Sequence, residues 1–309
     1  MLKNGIIFMT RLKGINSFVN CQTIKANLGK PKDAKLKGLK WQPVSERGVF
    51  VRKRVISLIF ILVIFMSIIG QAFGASIYSI ALISNNKLKI ESLKYGSDMR
   101  IMVEKGNEKY YYSLNNEKEE IPIQLGSGSY QIKILQNTTE NKYKVVEKTN
   151  LNVTNNSQDV FLTSSQPVYW EGRDKLLELG NTLTKDLQTD KEKVEAVYKY
   201  IVTNIKYDYN KINLISTDYV PNVEDVIINK NGICYDYSAL FAGILRSQGI
   251  HTKLVKGYKN DMSVYHAWNE VLLDGNWVLI DTTYDAALAS TRTQNMIKPI
   301  NEYNKVREY

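Results

Sequence analysis

Residues 55–86 contain no charged side chain, and Arg52-Lys53-Arg54 stands directly before them. The heart of this run, VISLIFILVIFMSIIG over 55–70, is almost wholly aliphatic and aromatic. A helix crossing hydrocarbon needs roughly 20 apolar residues, and the run reaches that length when counted on past Ala72. Two readings stay open. One is a transmembrane anchor over 55–75; the other is a signal peptide cut at a small-residue pair, Gly70 and Ala72 or Ala72 and Gly74. A buried core helix is the lesser alternative, because the run has no polar face. Both membrane readings keep the basic flank inside and put the chain from residue 76 onward outside the cytoplasm, either as a single-pass cell-membrane protein or as a secreted one.

Charge follows the same division. Residues 1–54 hold thirteen Lys or Arg against two acids, Asp33 and Glu46, while the whole chain carries a net +10, so the remainder is close to neutral. The basic field therefore sits at one end, and no nucleic-acid partner is expected for the folded part. Residues 25–40 are Lys-rich and lack apolar periodicity, so 1–54 reads as a disordered cytoplasmic tail; a translation start near Val49 or Val51 is the other reading of this stretch. With 309 residues, 44% apolar and 23% charged, the rest has an ordinary globular composition and room for about two domains. That composition excludes a collagen-like repeat, a disulfide scaffold and a polytopic membrane protein.

Residues 76–165 read as short strands. Leu88 and Ile90 alternate with Lys87, Lys89 and Glu91, and Tyr130, Ile132 and Ile134 alternate with Gln131 and Lys133. Breaks at Asn115-Asn116, Gly126-Ser-Gly128 and Asn155-Asn156 suit turns, so a small β-sandwich is expected. Residues 166–309 change period. Thr189-Asp-Lys-Glu192 has the form of a capping box, and Val194, Val197, Tyr198, Ile201, Val202 and Ile205 make a helical stripe behind it. A second helix starts near Gly232, turns Leu240, Phe241, Ile244 and Leu245 inward and stops at Gly249. Strands follow over 253–258, 266–273 and 276–281, the last two joined by Asp274-Gly275, a strong hairpin signal. Residues 301–309 look polar and frayed.

The chain has two cysteines, Cys21 before the apolar run and Cys234 after it. Cys234 thus has no partner on its own side and is flagged as a free thiol. It falls in the first turn of a helix, where unpaired N–H groups and the helix dipole favour a thiolate. Of the two histidines, His251 lies in a turn and reads as a surface residue, whereas His266 opens a strand. With a two-residue Asp274-Gly275 loop, Trp268 faces Asp281, so His266 and Asp281 are diagonal neighbours about 7–8 Å apart at Cα. A longer loop would shift this register. Cys, His and Asp together supply a nucleophile, a proton carrier and a carboxylate that fixes the ring.

The segments Gly232-Ile-Cys234-Tyr-Asp-Tyr237, Gly249-Ile250, Gly257-Tyr258, His266-Ala-Trp268-Asn-Glu-Val271 and Gly275-Asn-Trp277-Val-Leu-Ile-Asp281-Thr-Thr283 resemble the transglutaminase-like superfamily over residues 173–286. The resemblance implies an α+β fold: a papain-like core with the Cys helix packed on an antiparallel sheet, preceded here by the β-sandwich and the N-terminal membrane segment. It carries nucleophile, base and orienting acid onto Cys234, His266 and Asp281. Members include cross-linking enzymes, peptidases, deamidating amidases and inactive forms.

Other residues keep two readings. Glu270 shares the His266 face and is a rival for the third position. Tyr207 and Tyr209 are candidates for an oxyanion donor beside the Cys234 N–H, or packing aromatics. Trp268 either shields the ion pair or is an ordinary core residue. Asp236 bonds backbone or solvent in the first helical turn and is given no catalytic part. Paired His ligands, Cys-x-x-Cys, Asp-rich calcium loops and phosphate loops are absent from the sequence, so no metal and no cofactor is expected. The expected function is extracytoplasmic, thiol-dependent amide hydrolysis or acyl transfer on proteins or peptides of the cell envelope. The alternative is a catalytically silent surface binding or scaffold module of the same fold.

Overall fold

Alternation decides the first half of the structure. On strand β2 (Lys87–Ser92) the residues point in and out by turns, burying Leu88 and Ile90 and leaving Lys87, Lys89 and Glu91 partly exposed. It lies between β1 (Tyr78–Ser84) and β5 (Lys118–Pro122) in a three-stranded antiparallel sheet. A four-stranded sheet runs in the order β4-β3-β6-β7, from β3 (Met99–Lys105), β4 (Glu108–Ser113), β6 (Gly128–Thr139) and β7 (Lys142–Val153). Leu88, Ile90 and Ile121 of the first sheet share one core with Ile101, Val103, Ile132 and Ile134 of the second.

The computed structural model describes residues 76–309 apart from 85, 155–157 and 289–294. The expected basic tail (1–54) and membrane segment (55–75) lie outside the described residues. Among the described residues, no helix is long and apolar enough to cross a membrane.

Helices α1 (Asp174–Thr184) and α2 (Asp190–Asn204) follow the strands. The capping box is formed: Glu192 N–H donates to Thr189 Oγ1 at 3.2 Å, and Thr189 N–H to Glu192 Oε2 at 2.9 Å. Val194, Val197 and Ile201 are fully buried, as the stripe requires. A short parallel bridge of β8 (Lys206–Tyr207) with β9 (Asn231–Gly232) brackets α3 (Val223–Asn229). Then comes α4 (Cys234–Ser247), in which every residue from Asp236 to Arg246 is buried. A helix covered all round is an internal one. One side of it meets Leu176 of α1, Val197 and Ile201 of α2 and Val226 of α3; the other meets the sheet residues Leu254 and Val271. Burying each such aliphatic side chain contributes about 2 kcal/mol.

That sheet has five strands in the order β13-β12-β11-β10-β14, all antiparallel: β10 (Thr252–Lys259), β11 (His266–Leu273), β12 (Asn276–Ile280), β13 (Ile297–Lys298) and β14 (Tyr303–Glu308). Asp274 and Gly275 have φ of 50° and 78°, the two positive values of a tight two-residue hairpin. The turn sets the register, pairing Leu273 with Asn276 and Asn269 with Ile280. A fifth helix, α5 (Thr282–Leu288), follows β12 directly.

The expectation of a frayed end over 301–309 is corrected. These residues hold β14, which pairs with β10, and the backbone of Tyr309 exchanges hydrogen bonds with Leu254 at 2.8 and 2.9 Å. Its ring packs edge-on to Tyr110 and Tyr112 of the sandwich, so this strand touches both cores. The sequence there is polar because ladder pairing, rather than an apolar stripe, holds the strand.

Candidate active site

Cys234 is the first residue of α4 and is partly exposed. Its backbone N–H is one of the helix's unpaired first-turn donors. Asp236, fully buried, folds back to accept the Ile233 N–H at 2.8 Å. Gly232 makes room for this turn, because a Cβ there would lie 2.7 Å from the Asp236 Cβ. The same carboxylate accepts from the Lys211 ammonium at 2.8 Å and from the Tyr219 hydroxyl. Asp236 thus ties the segment ahead of α3 to the start of the cysteine helix. The sequence assigned it backbone or solvent bonding in the first turn. Its long-range partners Lys211 and Tyr219 carry no local sequence signal.

His266 begins β11 opposite Gly257 and is 3% exposed. Its Nε2 lies 2.8 Å from Asp281 Oδ2, and Cys234 is near enough for its charge to act on the ring. Burial works against the imidazolium, but the bond to Asp281 and the charges of Asp281 and Cys234 outweigh it, raising His266 to about 10. Asp281 is fully buried and satisfied on both oxygens. Oδ1 accepts the Tyr284 N–H at 3.0 Å, so Asp281 also caps α5; Oδ2 takes the Tyr303 hydroxyl at 3.0 Å besides the histidine.

The other sequence candidates separate. Glu270 is engaged by Lys305 at 2.9 Å and faces Lys253 at 3.8 Å, so the structure does not place it on His266. Trp268 is 1% exposed, its ring centroid 6.3 Å from that of His266 and 5.0 Å from that of Tyr303. Its ring is stacked beside that of His266, with 30° between the planes. Tyr207 and Tyr209 pack together with centroids 4.8 Å apart. Tyr209 is largely exposed. Tyr207 pairs with Gly232, and burial followed by the charge on Cys234 pushes its phenol up to about 12. His251 lies away from this cluster and meets Asp159 at 3.2 Å.

Cys234 and His266 open on a cavity of about 250 Å³ whose walls include Ile212, Ile215, Tyr265 and Ala267. An amide carbonyl entering it can reach the sulfur, with the imidazole beside it. Among the described residues, no group of three or more His, Cys, Asp or Glu could hold a metal ion. Sequence reasoning missed Tyr303 and the capping part of Asp281. Tyr303 carries no local signal, whereas Asp281-Thr-Thr-Tyr284 has the form of a helix start.

Residues 178–282, which include Cys234, His266 and Asp281, match the family model of the transglutaminase-like superfamily. Mouse kyphoscoliosis peptidase is 28% identical over 139 residues, 41% of this chain and 21% of that protein. UPF0252 protein MJ1282 of Methanocaldococcus jannaschii is 27% identical over 169 residues, 48% of this chain and 45% of its own length. The matched region thus spans about a fifth of the first relative and under half of the second. A solved candidate cysteine protease from Cytophaga hutchinsonii aligns over 72% of this chain and 76% of its own, at 18% identity and a TM-score of 0.40.

Proposed function

Residues 178–282 are a transglutaminase-like core, and from that premise we propose that the chain is a thiol enzyme acting on amide bonds of peptides or proteins outside the cytoplasm. One observation carries the reading: the buried His266 ring lies 2.8 Å at Nε2 from Asp281 Oδ2 and walls, with Cys234, one cavity.

In this reading the Cys234 thiolate attacks the amide carbonyl carbon. The oxyanion meets the Cys234 N–H, with the protonated Tyr207 phenol as a further donor from the flank. The C–N bond breaks as the His266 imidazolium gives its proton to the departing amine, leaving an acyl thioester on the sulfur. Water or a second amine then adds to the thioester while His266 takes its proton. The C–S bond breaks, and the thiolate–imidazolium pair is restored. Asp281 holds the ring and its positive charge throughout. Hydrolysis and cross-linking differ only in which nucleophile resolves the thioester. The extracytoplasmic setting rests on the basic flank at 52–54 and the charge-free run after it.

The test is alkylation of Cys234 by iodoacetamide in the full chain as pH is lowered. Labelling should persist well below the free thiol pKa of about 8.5 and be lost in His266→Ala. Labelling that stops near pH 8 and ignores that substitution would mark a silent module instead. Incubation with glutamine-containing and general peptides, with and without a labelled amine, separates hydrolysis from transfer by product mass. A membrane-impermeant maleimide that fails to reach Cys234 on intact cells would remove the extracytoplasmic assignment.

A further inference from the structure

Lys256 is an unpaired cation beside the candidate nucleophile. It sits on β10, next to the bulge where the pairing with β14 shifts register between Lys256 and Gly257. Its ammonium lies 3.3 Å from the Tyr235 ring centroid and 5.5 Å from that of Tyr309. No carboxylate pairs with it among the described residues. Being crowded by protein, it is pulled down to about 7 by burial, with the charge on Cys234 pushing the other way. An ammonium held this way loses hydration without gaining a salt bridge, which is costly unless a ligand supplies the missing anion.

The side chain also stands between two spaces. It walls the cavity that holds Cys234 and His266, and it walls a second cavity of about 110 Å³ behind it. Thr217, Tyr219 and Tyr235 are the other walls common to both. The second cavity adds another cation, Arg100, only 9% exposed. Its guanidinium donates to the carbonyls of Ser97 and Met99 at 2.9 and 2.8 Å and to Thr217 Oγ1 at 3.4 Å, so its partners too are neutral. None of the lining residues is Asp or Glu. Glu119, which bonds the wall residue Gln166, is already engaged by Asn116 and Tyr169. The space exceeds the roughly 30 Å³ share of one water and suits a carboxylate.

We propose that Lys256 and Arg100 form an anion subsite that takes a carboxylate of the peptide acyl donor whose carbonyl meets Cys234. The subsite rests on the thiol-enzyme reading for its use, but its binding chemistry does not depend on turnover. A carboxylate here brings its charge to two desolvated cations, while the apolar walls Ile212 and Ile215 cover the neighbouring part of the chain. The selected substrate is a peptide with a free carboxylate near the scissile bond, supplied by a C-terminus or by an acidic side chain.

The test compares iodoacetate with iodoacetamide as alkylating agents of Cys234 in the full chain at pH 6.5, with Lys256→Met and Lys256→Arg beside the wild type. A nearby positive charge favours the anionic reagent, and the iodoacetate-to-iodoacetamide rate ratio should fall about fivefold in Lys256→Met, with Lys256→Arg retaining it. A Lys256 that serves only the thiolate would slow both reagents alike; a ratio changed by less than twofold overturns the subsite. Protection of Cys234 from iodoacetamide by three short peptides, a free acid, its uncharged amide and that amide with one residue replaced by Asp, separates the two sources. Protection by the free acid marks a C-terminal carboxylate, and protection by an amidated peptide with an Asp side chain marks an acidic residue. Equal protection by the uncharged amide also overturns the proposal. Loss of low-pH labelling control in His266→Ala is read separately and bears on the thiol-enzyme reading alone.

Discussion

Tyr303 donates its hydroxyl to Asp281 Oδ2 at 3.0 Å, the same oxygen that lies 2.8 Å from His266 Nε2. Burial, and then the adjacent carboxylate, keep this phenol protonated, so it can only donate to the charged oxygen. The bond links β14 to the candidate triad. Tyr303→Phe keeps the ring against Trp268 and removes one charge-assisted bond, costing about 1.5 kcal/mol of stability in urea denaturation. Without that donor the Asp281 carboxylate faces His266 with more of its charge, so the imidazolium is favoured more and the low-pH limb of Cys234 alkylation should move to lower pH than in the wild type. An unchanged pH profile would show that Tyr303 only packs.

The proton on His266 gives a pH signature with a fixed sign. Burial opposes the charged ring, yet the bond to Asp281 and the charges of Asp281 and Cys234 raise it to about 10, against about 6.5 for an unfolded histidine. The folded state therefore holds this proton more tightly. Its contribution is complete below pH 6.5 and is lost as pH rises through about 10. The stability gap between wild type and His266→Gln, measured in urea at a series of pH values, should be widest near pH 6 and narrow steadily toward 10. A gap that widens with pH would defeat the ion-pair assignment.

Local chemistry made much of this legible in sequence. The capping box at Thr189 and Glu192, the stripe behind it and the Asp274-Gly275 turn are short-range signals, and the turn alone fixes the register that carries Asp281 toward His266. What stayed hidden is long-range. β14 has one buried residue followed by three exposed and two half-buried ones, so no alternation announces it; its pairing with β10 is decided by residues far back in the chain, from Val255 to Lys259. Lys211 and Tyr219 reach Asp236 in the same manner, through a fold and not a spacing. Glu270 is a fair rival by strand parity, but Lys253 of β10 and Lys305 of β14 engage it instead.

Gly257 tests whether β14 is needed at the site. A Cβ there would lie 2.1 Å from the Asn304 carbonyl oxygen and 2.8 Å from the Trp268 ring. The first of these is backbone and cannot swing aside. Gly257→Ala must push β14 off β10, at a cost of about 3 kcal/mol, and should weaken the Tyr303 bond to Asp281 as it does so. Gly275→Ala is the control: nothing lies within 4 Å of its Cβ, and only its φ of 78° is strained, costing about 1 kcal/mol. Gly257→Ala should therefore both melt earlier and reproduce the Tyr303→Phe alkylation profile, while Gly275→Ala keeps the wild-type profile. Matching profiles in the two glycine variants would dissociate β14 from the site.

Asp281 does two jobs with its two oxygens, and substitutions can divide them. Oδ1 caps α5 through the Tyr284 N–H, and Oδ2 faces His266 and Tyr303. Asn caps as well as Asp, whereas Ala costs about 1 kcal/mol at such a position, so Asp281→Asn should be the more stable variant by about that amount in urea. With its oxygen kept on the cap, however, the Asn places an NH₂ where Oδ2 was. The Tyr303 hydroxyl can turn to accept one of its protons, but toward His266 the NH₂ is met only if Nε2 becomes an acceptor, which requires the neutral ring. Both variants should then lose iodoacetamide labelling of Cys234 at pH 6 alike, despite their different stabilities. Should Asp281→Asn instead label at the wild-type rate, the carboxylate charge has no part in holding the thiolate, and Asp281 is a helix cap that happens to adjoin a histidine.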